Sequence, residues 1–477
     1  MRVEIETRVV TLTRIRMFSH ARMRLRRVVT VFFLAMSVSF RADAQEPMRM
    51  PMPDTAKRAM SSAPLGLPMD RMGSGTTWIP DAVSLPARHF MAGSWELMLH
   101  GFVFVEEGGQ GGPRGASQFG SLNWGMFMAS HDLAGGRFQA RTMLSLDPAT
   151  VTNAGYPLLL QSGETYRGQP LHDRQHPHDF LMELGALYER PISKTLGLSL
   201  YAAPSGEPAL GPVAFMHRPS AMDNPTAPLG HHWQDATHIA FGVLTAGLFT
   251  HSLKFEGSVF NGREPDENRW DIDPIRLDSY SGRLTFNPSA NWSLSAGYGF
   301  LKSPEALNPN ESMHRVTASA LQGVKLGLDG QWANTLVWGA NTERGFPTTQ
   351  SLLVESEAVL SRSHTVFGRA ELVQKTAQDL ALSSPTTGFA SDRVFNIGAL
   401  SLGYIADFMR WSGATLGLGA MGTLSVVPRD LQSSYGSRTP LGGWIFLRLR
   451  PLHSAETTNM GGMHMDGDAF DLAPSMR

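Results

Sequence analysis

The chain has 477 residues, a formal net charge of −1 and no cysteine. Only 17% of its residues are charged, against about 25% in soluble domains, and no apolar run reaches the roughly 18 residues of a spanning helix. Thiolate metal sites, disulfides and a concentrated basic surface for nucleic acid are thereby excluded.

At the N-terminus, Arg24, Arg26 and Arg27 precede the apolar run "VVTVFFLAMSVSF" (28–40), and Ala42 and Ala44 supply small residues at −3 and −1 of a cleavage point. This is the pattern of an export signal over residues 1–44, with Met23 or Met17 as alternative starts. The protein is expected to leave the cytoplasm. Residues 45–94 follow, rich in Met and Pro ("EPMRMPMPDTAKRAMSSAPLGLPMDRM"). They show neither a helical nor a two-residue period and read as an extended periplasmic segment or plug.

From Trp95 to about residue 451 the pattern changes to alternation. In 253–260, Leu253, Phe255 and Val259 oppose Lys254, Glu256 and Ser258. In 291–300, Trp292, Leu294, Ala296, Tyr298 and Phe300 oppose Ser293, Ser295, Gly297 and Gly299. In 180–189, Phe180, Met182, Leu184, Ala186 and Tyr188 oppose Glu183, Gly185 and Glu189. Segments 365–372 and 444–450 repeat the pattern, with Arg369, Glu371, Arg448 and Arg450 on the polar face.

Strands are expected near 95–105, 117–129, 137–147, 179–190, 195–203, 237–248, 251–262 and 277–287. Eight more fall near 291–302, 313–324, 330–341, 351–361, 364–375, 393–405, 412–426 and 442–450. Short connections ("RPISK", "TH", "PSA", "SR") alternate with long ones at 148–178, 204–236, 263–276, 376–392 and 427–441. Strands of about ten residues, aromatic near their apolar ends, with short turns on one side and long loops on the other, predict a transmembrane antiparallel β-barrel. Sixteen strands are expected, within two either way, closed because lipid cannot satisfy an open sheet edge. Residues 452–477 form a tail beyond the last strand.

Two groups of residues carry candidate chemistry. "HDRQHPHDF" (172–180) holds His172, Asp173, His176, His178 and Asp179 in one long loop. The next long loop carries His217, His231, His232 and His238 beside Asp223 and Asp235. Imidazole and carboxylate are ordinary ligands for Zn²⁺, Cu²⁺ or Ni²⁺. The competing reading pairs these groups with one another at the outer mouth. The second group is methionine: Met48, Met50, Met52, Met60, Met69 and Met72 at one end, and Met460, Met463, His464 and Met465 in the tail. Thioether sulfur suits Cu(I), and these residues sit among Gly, Pro and Asp rather than on a periodic apolar face. No dinucleotide, P-loop, G-x-S-x-G or H-E-x-x-H motif stands in its required context, because "GQGGPRG" (109–115) runs from a strand into a loop. The chain is therefore read as a non-enzyme.

The stretches "GTTWIPDAVSLPARHFMAGSWELMLHG" (75–101) and "HDRQHPHDFLMELGALYERP" (172–191) resemble a family of Gram-negative outer-membrane proteins without an assigned activity. More loosely, the Met-rich mature start ahead of a barrel, with "VFGRAELVQK" (366–375), is similar to copper resistance protein B. That resemblance implies an outer-membrane barrel associated with copper tolerance. The repeated Met-Asp-His-Ser type motif expected there is replaced by Met-x-Met pairs and "GGMHMDGD". The expected function is an outer-membrane barrel linked to copper or other metal binding, passage or tolerance. A general porin or solute channel and a barrel enzyme acting on envelope lipid are the alternatives. No cofactor is required; copper or zinc is the candidate ion, and outer-membrane lipid and metal ions are the expected partners.

Overall fold

A computed structural model describes residues 64–452 except 328, 329, 362, 386 and 412, together with 471–472. Residues 1–44, where an export signal is expected, the Met-rich residues before 64, and Met460, Met463, His464 and Met465 lie outside these residues.

Ala87–Ala92 (β1) turns back on Trp95–Gln110 (β2), and Ser117–Leu133 (β3) and Gly136–Leu144 (β4) follow. Tyr156–Tyr166 (β5) and Gln169–Gln175 (β6) form a separate hairpin. The main sheet continues with Leu181–Pro191 (β7), Gly197–Gly206 (β8), Ala240–Phe249 (β9), Leu253–Phe260 (β10), Ser279–Ser289 (β11) and Trp292–Lys302 (β12). Ser312–Leu326 (β13), Gly330–Glu343 (β14), Thr349–Ser361 (β15) and His364–Thr376 (β16) come next. Val394–Trp411 (β17), Ala414–Val426 (β18) and Leu441–Pro451 (β19) complete the sheet, and Asp471–Leu472 (β20) adds a two-residue pairing to β17.

Strand β19 pairs β2 from Gly442↔Gln110 to Leu449↔Val103, which closes a barrel of sixteen antiparallel strands, β2–β4 and β7–β19. Below that point β1 takes over the same edge of β2, from Ala87↔His100 to Ala92↔Trp95. Between them β19 and β1 pair this edge of β2 over 103–110 and 95–100, which shields it as a membrane wall requires.

Alternation sets what each face meets. Leu253, Phe255 and Val259 point outward and are exposed, whereas Lys254, Glu256 and Ser258 are buried inside. Tyr280 and Tyr298 near one end of the wall, and Trp95, Trp292 and Trp332 near the other, keep their rings on the outer face. An apolar outer band with aromatics at both margins places the protein in the outer membrane. One residue departs from the expected faces. Pairing of β4 with β7 steps from Met143↔Glu183 to Leu144↔Leu181, so a bulge turns Met182 inward beside Glu183. Met182 is fully buried, because a bulge puts two successive residues on one side.

Strands run up to 18 residues (β17), longer than the ten or so expected. The excess lies where alternation fades: β2 ends in "EEGGQ", polar on both faces. Arginine at Leu294 should cost roughly 2–4 kcal/mol of barrel stability if the residue sits near the midplane. Arginine at Ser295, on the lumen side, should be nearly neutral. Urea unfolding in lipid micelles reads the difference, and equal losses at both positions would mean that this register is shifted by one.

The lumen is occupied. Residues 64–86 enter it at the short-turn end. Lys254 Nζ donates to Thr76 O (2.9 Å), Ser293 Oγ to Trp78 O (3.0 Å) and Asn287 Nδ2 to Ile79 O (3.1 Å). Gln331 brackets Ser84, accepting from its N–H at 3.0 Å and donating to its carbonyl at 3.1 Å. The segment needs no strand of its own, and its prolines cost it nothing, because its backbone groups bond to wall side chains instead of to a ladder.

Candidate functional site

Residues 207–239, the connection between β8 and β9, do not project outward. Every one of them is buried, because the loop crosses the barrel interior. Side chains from the far wall hold it. Arg218 Nε donates to Glu355 Oε2 of β15 (2.6 Å), and Arg369 of β16 bridges Glu355 Oε1 (2.7 Å) and Thr226 O (2.9 Å). Asp223 accepts from Arg448 of β19 at 2.5 Å, and Leu229 N donates to Glu371 at 2.6 Å. Trp233 Nε1 donates to Thr349 (2.8 Å) and Gln234 Nε2 to Ser351 (3.0 Å). The approach is close enough that a Cβ at Gly339 would sit 2.2 Å from Trp233 O, so only glycine fits on β14 there.

The loop is also packed. Phe215, Met222, Leu229 and Trp233 join Phe102, Trp124, Met182 and Phe367 of the wall in one apolar core. Each such side chain contributes about 1.5–3 kcal/mol by burial. At mid-lumen the loop meets the N-terminal segment, where Ala214 N donates to Ser74 Oγ (2.8 Å). Burial pushes the nearby Glu207 carboxyl up to about 8, and Glu183 and Asp235 add to that. Glu207 is therefore uncharged at neutral pH, although Arg283 lies 3.9 Å away.

The sequence-derived candidates fall into three settings. His172 and Asp173 lie on the β5–β6 hairpin and are held by Arg114, which donates to Asp173 Oδ2 (2.5 Å) and sits 2.8 Å from His172 Nδ1. Asp179 takes Arg269 Nη1 at 3.3 Å. His176, His178, His231 and His232 come together in the interior, not at the open mouth where the loop order had placed them. Both loops fold inward, so imidazoles that would face water are buried. Ring centroids are 5.8 Å apart for His176–His232, 5.2 Å for His231–His232, 5.1 Å for His231–His238 and 5.6 Å for His178–His238. His217 and His238 then face a small void with Glu183 and Glu207, and the His217 ring lies 5.3 Å from that of His100 of β2, tilted by 54°.

Carboxylates fix several of these rings. His178 Nδ1 is 2.8 Å from Asp147 Oδ2 and His231 Nδ1 is 2.8 Å from Asp235 Oδ1, whereas His176 Nε2, 3.2 Å from Glu164 Oε1, makes no hydrogen bond among the described residues. Burial lowers the pKa of His176, His217 and His231, and takes His238 to about 3. These four are neutral imidazoles at physiological pH, each with one nitrogen left as an acceptor.

On the outer side of the loop lies a vestibule of about 390 Å³. Glu164, His232, Glu305, Glu343, Asp379 and Thr349 line it. Burial raises the Glu305 and Asp379 carboxyls above their ordinary range, and for Glu305 the neighbouring Glu264, Glu343 and Asp379 raise it further. Sequence reading reached His232 but not these acids, which come from four separate connections and strand ends. None of these four acids lies on an expected strand, and nothing local marks which acids of the connections converge.

No protein-family model matches the sequence and no curated protein is similar to it, so neither comparison supports the likeness to copper resistance protein B. Among solved structures, an anion-selective porin from Comamonas acidovorans is 10% identical, with a TM-score of 0.45 over 75% of this chain and 99% of that one. OmpF of Salmonella typhi, in complex with daunomycin, gives 9% identity and a TM-score of 0.45 over 76% and 100%. OprB of Pseudomonas putida gives 9% and 0.42 over 74% and 94%. Such values carry no argument about solute or selectivity; the barrel is read from its own strand ladder.

Proposed function

We propose that this barrel is a passive outer-membrane channel for small hydrophilic solutes, that it favours cations, and that residues 207–239 set whether it conducts. The observation that carries the reading is how that loop is held. Its ties to the far wall are side-chain hydrogen bonds and ion pairs, while β8 and β9 pair with each other at its base. It can move without breaking the barrel's ladder. The apolar side chains on the loop oppose that movement, which makes the closed arrangement the resting one. Cation preference follows from the vestibule, whose lining carries the carboxyl oxygens of Glu305, Glu343 and Asp379 and, among the described residues, neither lysine nor arginine.

Planar bilayers containing the purified full chain test this under a KCl gradient. The expected result is a small conductance with a reversal potential of cation-selective sign, which moves toward zero in Glu343→Gln/Asp379→Asn. An anion-selective reversal potential would overturn the selectivity, and the absence of any current across many insertions would overturn the channel.

A further inference from the structure

We propose that His232, Glu264 and Glu305 form a binding site for a divalent transition-metal cation, with zinc-like borderline preference, at the floor of the outer vestibule. The three residues come from three different connections: 207–239, 261–278 and 303–311. One ring nitrogen of His232 and one carboxylate oxygen from each glutamate all lie within 4.8 Å of one another. A tetrahedral ion with bonds of about 2.1 Å holds its ligands roughly 3.4 Å apart, so small side-chain rotations bring the set to bonding distance.

Proximity of acids alone would not make a site. The second observation is that two polar atoms of this set have no hydrogen-bond partner, Nε2 of His232 and Oε2 of Glu264. Their side chains are 6% and 7% exposed, where an unmatched acceptor is costly. His232 Nδ1 and Glu264 Oε1 are 3.2 Å apart, which already turns the carboxylate toward the ring. Among the described residues Arg315, whose charge acts on both acids, hydrogen-bonds to neither of them and is held instead by His232 O (2.5 Å) and Asn341 Oδ1 (3.0 Å). Glu343 and Asp379 line the same cavity and supply further carboxyl oxygens. One imidazole with carboxylates and room for water suits Zn²⁺, Mn²⁺ or Fe²⁺ better than the soft Cu(I) that thioethers favour. The site stands apart from the question of conduction, since it needs only the loop in its described position.

The surface trio Asp266, Asp271 and Asp273 also clusters within 4.8 Å, but it is largely exposed and serves as the control. Zn²⁺ titration of the detergent-solubilised full chain against a chromophoric chelator should show a site weakened at least tenfold in His232→Ala and in Glu305→Gln. Asp271→Asn should leave it unchanged. A heat-dependent gel shift shows which variants have assembled. Zn-edge absorption of the wild-type protein gives a reading that needs no variant, and one imidazole with an otherwise oxygen shell is expected. Equal zinc affinity in wild type and both assembled variants would overturn the proposal, as would a zinc shell built from sulfur or from several imidazoles.

Discussion

Removal of residues 212–234, with Gly211 joined to Asp235 through two glycines, is expected to raise single-channel conductance at least roughly tenfold, because a barrel of this strand number cleared of its contents leaves an aqueous channel. The junction is short. A Cβ at Gly211 would lie 2.4 Å from Gln234 O and 3.7 Å from the Asp235 Cα, so the two legs of the loop already touch. The ladder between β8 and β9, which ends at Gly206↔Ala240, is left intact, and the heat-dependent gel shift should persist. If the assembled deletion conducts no better than the parent, residues 64–86 close the lumen unaided and the loop does not set conduction.

Asp223→Ala should destabilise the barrel by about 3–5 kcal/mol, the size of effect that follows from stranding a buried charge. Asp223 lies 2.5 Å from Arg448 Nη1 and 4.0 Å from Arg450 Nε, and all three side chains are at most 1% exposed. Asp407 is then left paired with both guanidinium groups, with Glu357 as the other acid near them. Asp430→Ala should cost at most about 1 kcal/mol, since its partner Arg393 and Asp430 itself are 46% and 51% exposed and such pairs are screened by water. Urea midpoints for the two variants in the same lipid micelles decide the matter. Similar small losses would show that the Asp223 cluster is hydrated, and that the interior near β19 is wetter than its packing indicates. Because Asp223 is also a tie of the crossing loop, the variant should leak more than the parent in the bilayer assay.

Part of the candidate site was legible in the amino-acid order. The two histidine loops are consecutive, and His176 and His178 do meet His231, His232 and His238. Their depth was not legible. Imidazole tolerates both water and burial, so its spacing carries no sign of where the loop goes. Arg218, Glu355, Asp223 and Arg448 were equally hidden. They are 134 or more residues apart within each bonded pair, and no local period links such partners. Glu264 and Glu305 had no signal at all, since Glu264 is one of six acids in 261–278 and Glu305 one of two in 303–311, and nothing local sets either apart.

The barrel is legible in the order of residues alone. Side chains of a strand alternate with period two, and lipid on one side demands an apolar residue at every second position. The wall therefore writes itself into Leu253, Phe255 and Val259 against Lys254 and Glu256. Connection length also follows from local chemistry, with "TH" and "PSA" as tight turns and 204–236 as a long excursion. Only the tertiary structure decided what fills the barrel. The inner face asks only for polarity, and that requirement is met as well by water as by an inward-folded loop, so alternation cannot tell an open lumen from a closed one. The choice rests on contacts between distant residues: Arg218 with Glu355, Ser74 with Ala214, and the bare Cα of Gly339 against Trp233.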